Sequence, residues 1–165
     1  MLRRRSRVEF EVSPATFETI ALASIAGLRS MSAPAFLSRA IERGDLRAPN
    51  FLPALGSPKV SALLVLLTVG EMIADKTPLV PARTSAPALL GRVLSGALCG
   101  ATLFASEGRD RNSGATLGVI CAVIAAYAGE GFRSLGARKG IPDPILATLE
   151  DMVVLTLGKR ILRRV

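Results

Sequence analysis

Apolar residues in this chain come in long blocks, with the polar residues gathered between them rather than striped along one face of each block. Blocks of Ala, Leu, Val and Gly about twenty residues long are the pattern of membrane helices rather than of a soluble fold. Five can be traced. Segment A runs over 14–41: Pro14 opens it, and Pro34 is expected to kink or break it after about five turns. Residues 44–58 hold Gly44, Pro49, Pro53, Gly56 and Pro58 and exclude a regular helix. Phe51, Leu52 and Leu55 place that connection at an interface rather than in free water. Segment B, 59–77, is closed by Pro78, and prolines stiffen 78–87. Segment C, 87–105, would be about 28 Å long, close to the hydrocarbon thickness of a bilayer. A polar hairpin at 106–112 leads into segment D, 113–135, and a connection at 136–143 leads into segment E, 144–162. The expected fold is all-α, a polytopic membrane helical bundle of four to five transmembrane segments with a broken or re-entrant first helix. The chain reads as a single integral membrane domain over 1–165. Within it lie a basic tail (1–13), a first half (14–78), a linking helix (87–105) and a second half (113–162).

Charge sharpens this picture. The net charge is +8, and basic residues gather at the ends: Arg3, Arg4, Arg5 and Arg7 before the first block, Lys159, Arg160, Arg163 and Arg164 after the last. Such flanks set orientation and lie against anionic lipid heads, so the expected partners are the bilayer and its anionic lipids at the basic termini. With one Tyr, six Phe and no Trp, the chain lacks the stacking groups that a nucleic-acid surface uses, and no nucleic-acid partner is expected. Arg3–Arg7, Ile20–Leu28 and Ser30–Ala35 imitate a cleaved signal, but Glu9, Glu11, Glu18 and Arg29 fit it badly, so a retained first helix is expected. Five crossings leave Lys and Arg nearly balanced between the two sides. A segment A that dips in and returns leaves four crossings and puts both basic termini in the cytoplasm. Near balance would also suit insertion in both orientations as an antiparallel homodimer or a higher homo-oligomer. The expected location is the bacterial cytoplasmic (inner) membrane.

There is no histidine, which removes the commonest general base and zinc ligand. Cys99 and Cys121 lie in mid-block without other ligands and read as packing residues. No catalytic residue, metal or cofactor is assigned on these grounds.

The polar residues inside the blocks are the candidate site. On segment B, Thr68, Glu71 and Asp75 share one helix face; on segment E, Thr148 and Asp151 share a face, with Glu150 beside it. A carboxylate in a membrane helix costs about 2.5–3.5 kcal/mol on insertion scales, so it persists mainly when paired or used. Arg29, Arg92 and Arg133 are the available partners, and arginine's planar fork suits a carboxylate. The assigned binding or ion-pathway residues are Glu71, Asp75, Glu150, Asp151, Thr68, Arg29 and Arg133. Lys76, Arg92 and Glu130 read as structural or interfacial charge: Lys76 snorkelling, Arg92 anchoring at the interface, Glu130 pairing with Arg133 at i+3. Gly96-x-x-x-Gly100 and Gly114-x-x-x-Gly118 read as a tight antiparallel helix pair. A short echo joins the halves: Gly27-Leu-Arg-Ser-Met31 and Gly131-Phe-Arg-Ser-Leu135 each precede an acid-bearing helix, as in an inverted repeat.

Ala26-Gly-Leu-Arg29, Glu71-Met-Ile-Ala-Asp-Lys-Thr-Pro78 and Leu149-Glu-Asp151 together resemble a bacterial multi-pass membrane family known as domain of unknown function 4126. The resemblance runs from about Thr19 to Leu157, and its specific element is Glu-x-x-x-Asp-Lys-x-Pro. It implies fold and location only.

Three functions are compatible with this pattern. The first is a transporter or channel for an ion or small solute, with the acids forming a polar pathway. The second is a non-catalytic scaffold or regulatory subunit whose Arg–carboxylate pairs are structural. The third is an enzyme acting on lipid headgroups or lipid phosphates; it lacks a trusted Asp-rich motif and a nucleophile beside a base, so no enzyme activity is assigned.

Overall fold

The structure is a computed structural model that describes residues 13–75 and 85–162. Among these residues it is all-helical, with α1 (Pro14–Leu28), α2 (Ser32–Glu42), α3 (Pro58–Ala74), α4 (Ala86–Ser106), α5 (Arg111–Arg138) and α6 (Asp143–Leu162). A 3-10 turn, Pro53–Gly56, interrupts the irregular connection before α3. The basic tail and Lys76, with Arg163 and Arg164, lie outside the described residues.

Helices α1, α4 and α5 form the densest part of the molecule. Gly96 faces Gly118 and Gly100 faces Gly114, backbone against backbone, so α4 and α5 run antiparallel at close range. Only a missing Cβ permits that approach. Gly27 seats α1 against the backbone of Ala122 and Ala126 on α5. At its other end α1 is capped from the α4–α5 hairpin: the Ala15 amide donates to Glu107 Oε1 at 2.9 Å, and Arg109 Nη1 donates to Thr16 Oγ1 at 2.8 Å. These contacts fix α1 parallel to α5 and antiparallel to α4.

Segment A breaks as expected but not where expected. The helix stops at Leu28, turns through Arg29–Met31 and restarts at Ser32, so that the break is centred about one turn before Pro34. The displacement follows from proline itself, whose ring collides with the carbonyl four residues back, here that of Ser30. Pro34 then sits in the first turn of α2, where its missing N–H costs nothing. Helix α2 folds back beside α1, so that Leu37 and Ala40 border the same small void as Leu22 and Leu103. The element is a helical hairpin packed inside the bundle, with Ala23, Ile25, Ala26, Ala33 and Leu37 essentially without solvent contact.

The remaining helices alternate in direction. One end of the bundle gathers the start of α1, the connection 43–57, the hairpin at Glu107–Asp110 and the end of α6, where Ile161 borders Leu46. The other end gathers the α1–α2 break, the end of α3 and the α5–α6 connection. Helices α4 and α5 are long and apolar enough to cross a membrane; α1 is apolar but shorter.

The sequence echo is not mirrored in the backbone. Gly27–Met31 contains the break, whereas Gly131–Leu135 lies within the uninterrupted α5. The residue corresponding to Pro34 is Arg138, so nothing forces α5 to stop.

Substituting Gly118 by Ala would drive a Cβ into the Gly96 carbonyl and is expected to cost about 1–3 kcal/mol. Gly131→Ala meets open space and is expected to be neutral or to stabilise by up to about 1 kcal/mol. Thermal unfolding of the two variants checks the contrast. At the N-cap of α5, the Ser113 hydroxyl and then the Ser113 and Asn112 amides hold the Asp110 carboxyl below its ordinary range. Because the folded pKa is lowered, this cap contributes fully above the ordinary aspartate range and is lost as pH falls through the folded pKa. An acid titration of thermal stability is expected to show a limb that Asp110→Asn removes.

Candidate functional site

Breaking a helix leaves the first amides of the new helix without partners. Glu71, near the end of α3, supplies them. Its Oε1 accepts from the Ser30 amide and the Ser30 hydroxyl, each at 2.9 Å, and its Oε2 accepts from the Met31 amide at 2.9 Å. A carboxylate at this point also faces the positive end of the α2 dipole. On the opposite side, the outgoing end of α1 leaves carbonyls unpaired, and Arg92 of α4 takes one: its Nε donates to Gly27 O at 3.0 Å and its Nη1 to Ala88 O at 3.0 Å. Of the two readings of Arg92, structural charge or interfacial anchor, its burial fits the structural one. Arg92 is buried and acts as a C-cap to α1.

Arg29 occupies the break itself and is 1% exposed. Its Nη2 lies 2.8 Å from Asp75 Oδ2 and 2.7 Å from Asp151 Oδ1, joining α1 to both α3 and α6. Arg133, on α5, enters the same cluster from the other side. Its Nε and Nη2 donate to Glu150 Oε2 at 3.1 and 3.0 Å, and Nη2 also donates to Asp75. Asp75 is thus shared by the two guanidiniums. Arg133 Nη1 continues outward to Asp143 Oδ2 at 3.2 Å. Asp143 is 56% exposed, while the carboxylates of Glu150, Asp75 and Asp151 are almost entirely covered. A chain of alternating charge therefore runs from the surface at Asp143, through Arg133 and Asp75, to Arg29 at the break.

Local geometry explains why these side chains meet. Glu71 and Asp75 are four apart and fall on one face of α3, the face turned to the break. Glu150 and Asp151 are adjacent on α6 and diverge by about 100°, so one reaches Arg133 and the other Arg29. Side chains lean toward the N-terminus of their own helix, which carries the Arg133 head back down α5 toward Arg29.

Six of the assigned residues therefore converge: Glu71, Asp75, Glu150, Asp151, Arg29 and Arg133. Thr68 does not join them; its hydroxyl donates to Leu64 O within α3 at 2.9 Å. Glu130 does not pair with Arg133, whose fork is drawn to carboxylates on α3 and α6 instead of the one on its own helix. Lys76 lies outside the described residues. Three participants were missed by sequence reasoning: Asp143, Ser30 and Met31. Asp143 was read as part of a connection, although an acid directly before Pro144 at a helix start was a usable signal. The amides of Ser30 and Met31 could not be foreseen without placing the break. Cys99 and Cys121 are both free thiols, Cys99 buried. Among the described residues, no three acids or cysteines converge closely enough to hold a metal ion.

An interrupted helix pinned by a buried guanidinium–carboxylate cluster, inside an all-helical fold with two helices able to cross a membrane, defines a class of compact helical protein. Within that class the chain belongs to the family described as Domain of unknown function (DUF4126), which matches residues 17–159. No curated protein and no solved structure matches it.

Removing the Glu71 side chain orphans two amides and a hydroxyl. Glu71→Ala is expected to destabilise the protein by about 2–3 kcal/mol, and Glu71→Gln, which keeps an acceptor, by about half as much. Denaturant unfolding of both variants tests this order.

Proposed function

We propose that this chain is a small polytopic protein of the bacterial cytoplasmic membrane that moves an ion or small solute, with the charged chain at the helix break as its working element. The polarity of α3 and α6 supports a membrane setting. The buried residues of α3 are Ser61 and Thr68, whereas Leu63, Leu66 and Ile73 are turned outward. On α6, Glu150 and Asp151 are inside, while Leu149, Met152 and Val153 are outside. A helix that hides its polar groups and exposes its leucines is built for lipid.

In this reading α3, α4, α5 and α6 cross the bilayer and α1–α2 is a re-entrant hairpin. Outside the network, the described cations favour one end of the bundle: Arg39, Arg43, Arg47, Lys59, Arg109, Arg111, Lys159 and Arg160, against Arg138 and Lys139 at the other. The basic end then faces the cytoplasm, and the Asp143 entrance faces outward.

The observation that carries a transport role is the interrupted helix, whose backbone groups are held by side chains of neighbouring helices next to ionisable residues. Broken helices of this kind form the substrate and ion sites of many transporters. A second reading is favoured by the mutual saturation of the cluster. Arg29 and Arg133 are committed to carboxylates at contact distance, the geometry of a register lock in a scaffold or regulatory subunit.

Purified protein in liposomes distinguishes the two readings. Proton and monovalent-ion flux above the empty-liposome baseline, lost in Asp75→Asn and Arg133→Gln, is the expected result. Folded, correctly inserted protein with baseline flux, or flux indifferent to both substitutions, would leave the lock as the better account.

A further inference from the structure

Away from the charged chain, α2, α3 and α6 enclose a groove of about 620 Å³ that opens toward the basic end of the bundle. It is open along one side, and its walls are mainly apolar, with Phe36 from α2, the partly exposed Val65 and Val69 from α3 and Leu155 from α6, beside the polar Ser32 and Thr68. At the mouth stand Arg39, Arg43 and Lys159, and no carboxylate is among the lining residues. Glu42, nearby, accepts from Arg39 at 2.8 Å, which still leaves positive charge in excess at the mouth. At the inner end lies Ser32, fully buried, with a hydroxyl that has no hydrogen-bond partner. From Ser32 to Arg43 the groove follows α2 for about 16 Å, roughly half of a ~30 Å hydrocarbon core.

A slot one leaflet deep, greasy along its length and cationic at its mouth, matches one kind of molecule. We infer that the groove holds an anionic glycerophospholipid of the leaflet at the basic end. Its phosphate sits on Arg39, Arg43 and Lys159, and one acyl tail lies between Phe36, Val69 and Leu155, pointing toward Ser32. Guanidiniums bind phosphate through paired, charge-assisted hydrogen bonds, and burying each methylene of the tail adds to retention. The site depends on the membrane setting proposed above but not on transport. It goes beyond general attraction of basic tails to the bilayer, since it assigns one groove between helices and one bound molecule.

Native mass spectrometry of purified protein, offered phosphatidylglycerol or phosphatidylcholine in mixed micelles, tests the inference. Wild type is expected to retain one phosphatidylglycerol, preferred over phosphatidylcholine by about tenfold, the scale of one good charge-assisted contact. Arg39→Gln/Arg43→Gln/Lys159→Gln is expected to abolish the preference. Val69→Trp, which fills the groove and keeps every charge, is expected to abolish retention; Leu155→Phe narrows the opposite wall and serves if the tryptophan variant does not fold. Equal retention of both lipids by wild type, or undiminished phosphatidylglycerol on a folded groove-filled variant, would overturn the groove as the site. Carbonate washing of membranes separates this failure from that of the membrane reading. A chain released by the wash fails both, whereas one that stays in the pellet without lipid preference fails only the groove.

Discussion

Burying a guanidinium is the constraint around which this molecule is arranged. Arg29 has lost essentially all contact with solvent, and an unpaired charge in that position would cost several kcal/mol. The fold meets that cost by bringing a carboxylate from α3 and another from α6 to one side-chain nitrogen. Arg133 repeats the arrangement from α5, and the shared Asp75 couples the two. Helices distant in sequence thus meet at one point because the charges leave them no cheaper alternative. The glycine-lined contact of α4 with α5 does the complementary work, giving the bundle a rigid floor against which the hairpin α1–α2 can rest.

The break in the first helix has the same logic. Backbone donors exposed by the turn at Arg29–Met31 are satisfied by Glu71, and the carbonyl of Gly27 by Arg92. Each end of the interruption is therefore held by a charged side chain from a different helix. Such a joint is rigid while its partners stay in place and is open to movement when they do not. This is why the same geometry supports both a working element and a lock.

Much of this was legible in the residues. Pro14, Pro58, Pro87 and Pro144 mark four helix starts to within a residue, and the polar stretch 106–112 marks the α4–α5 turn. Pro34 announced a broken first helix, yet its effect falls on the carbonyl one turn upstream, so the break lies at Arg29–Met31. The acids of α3 and α6 and the arginines of α1 and α5 were recognisable as partners, because charges in apolar blocks must pair. Which acid meets which arginine was not legible, since that depends on helix rotation and on α2 folding back. Glu130 illustrates the difficulty: sequence proximity to Arg133 lost to carboxylates that only tertiary packing delivers. Thr68 likewise shares a face with Glu71 but spends its hydroxyl on its own helix.

The carboxylate that completes the joint lies forty residues beyond the amide of Met31, and Asp151 lies much further along. A ribosome therefore delivers the hairpin long before it delivers what holds the hairpin shut. Until α3 arrives, the exposed turn needs water or another temporary acceptor, and until α6 arrives Arg29 lacks one of its two counter-charges. The hairpin is thus made well before it can reach its final state, and the seat closes only once both α3 and α6 have followed it.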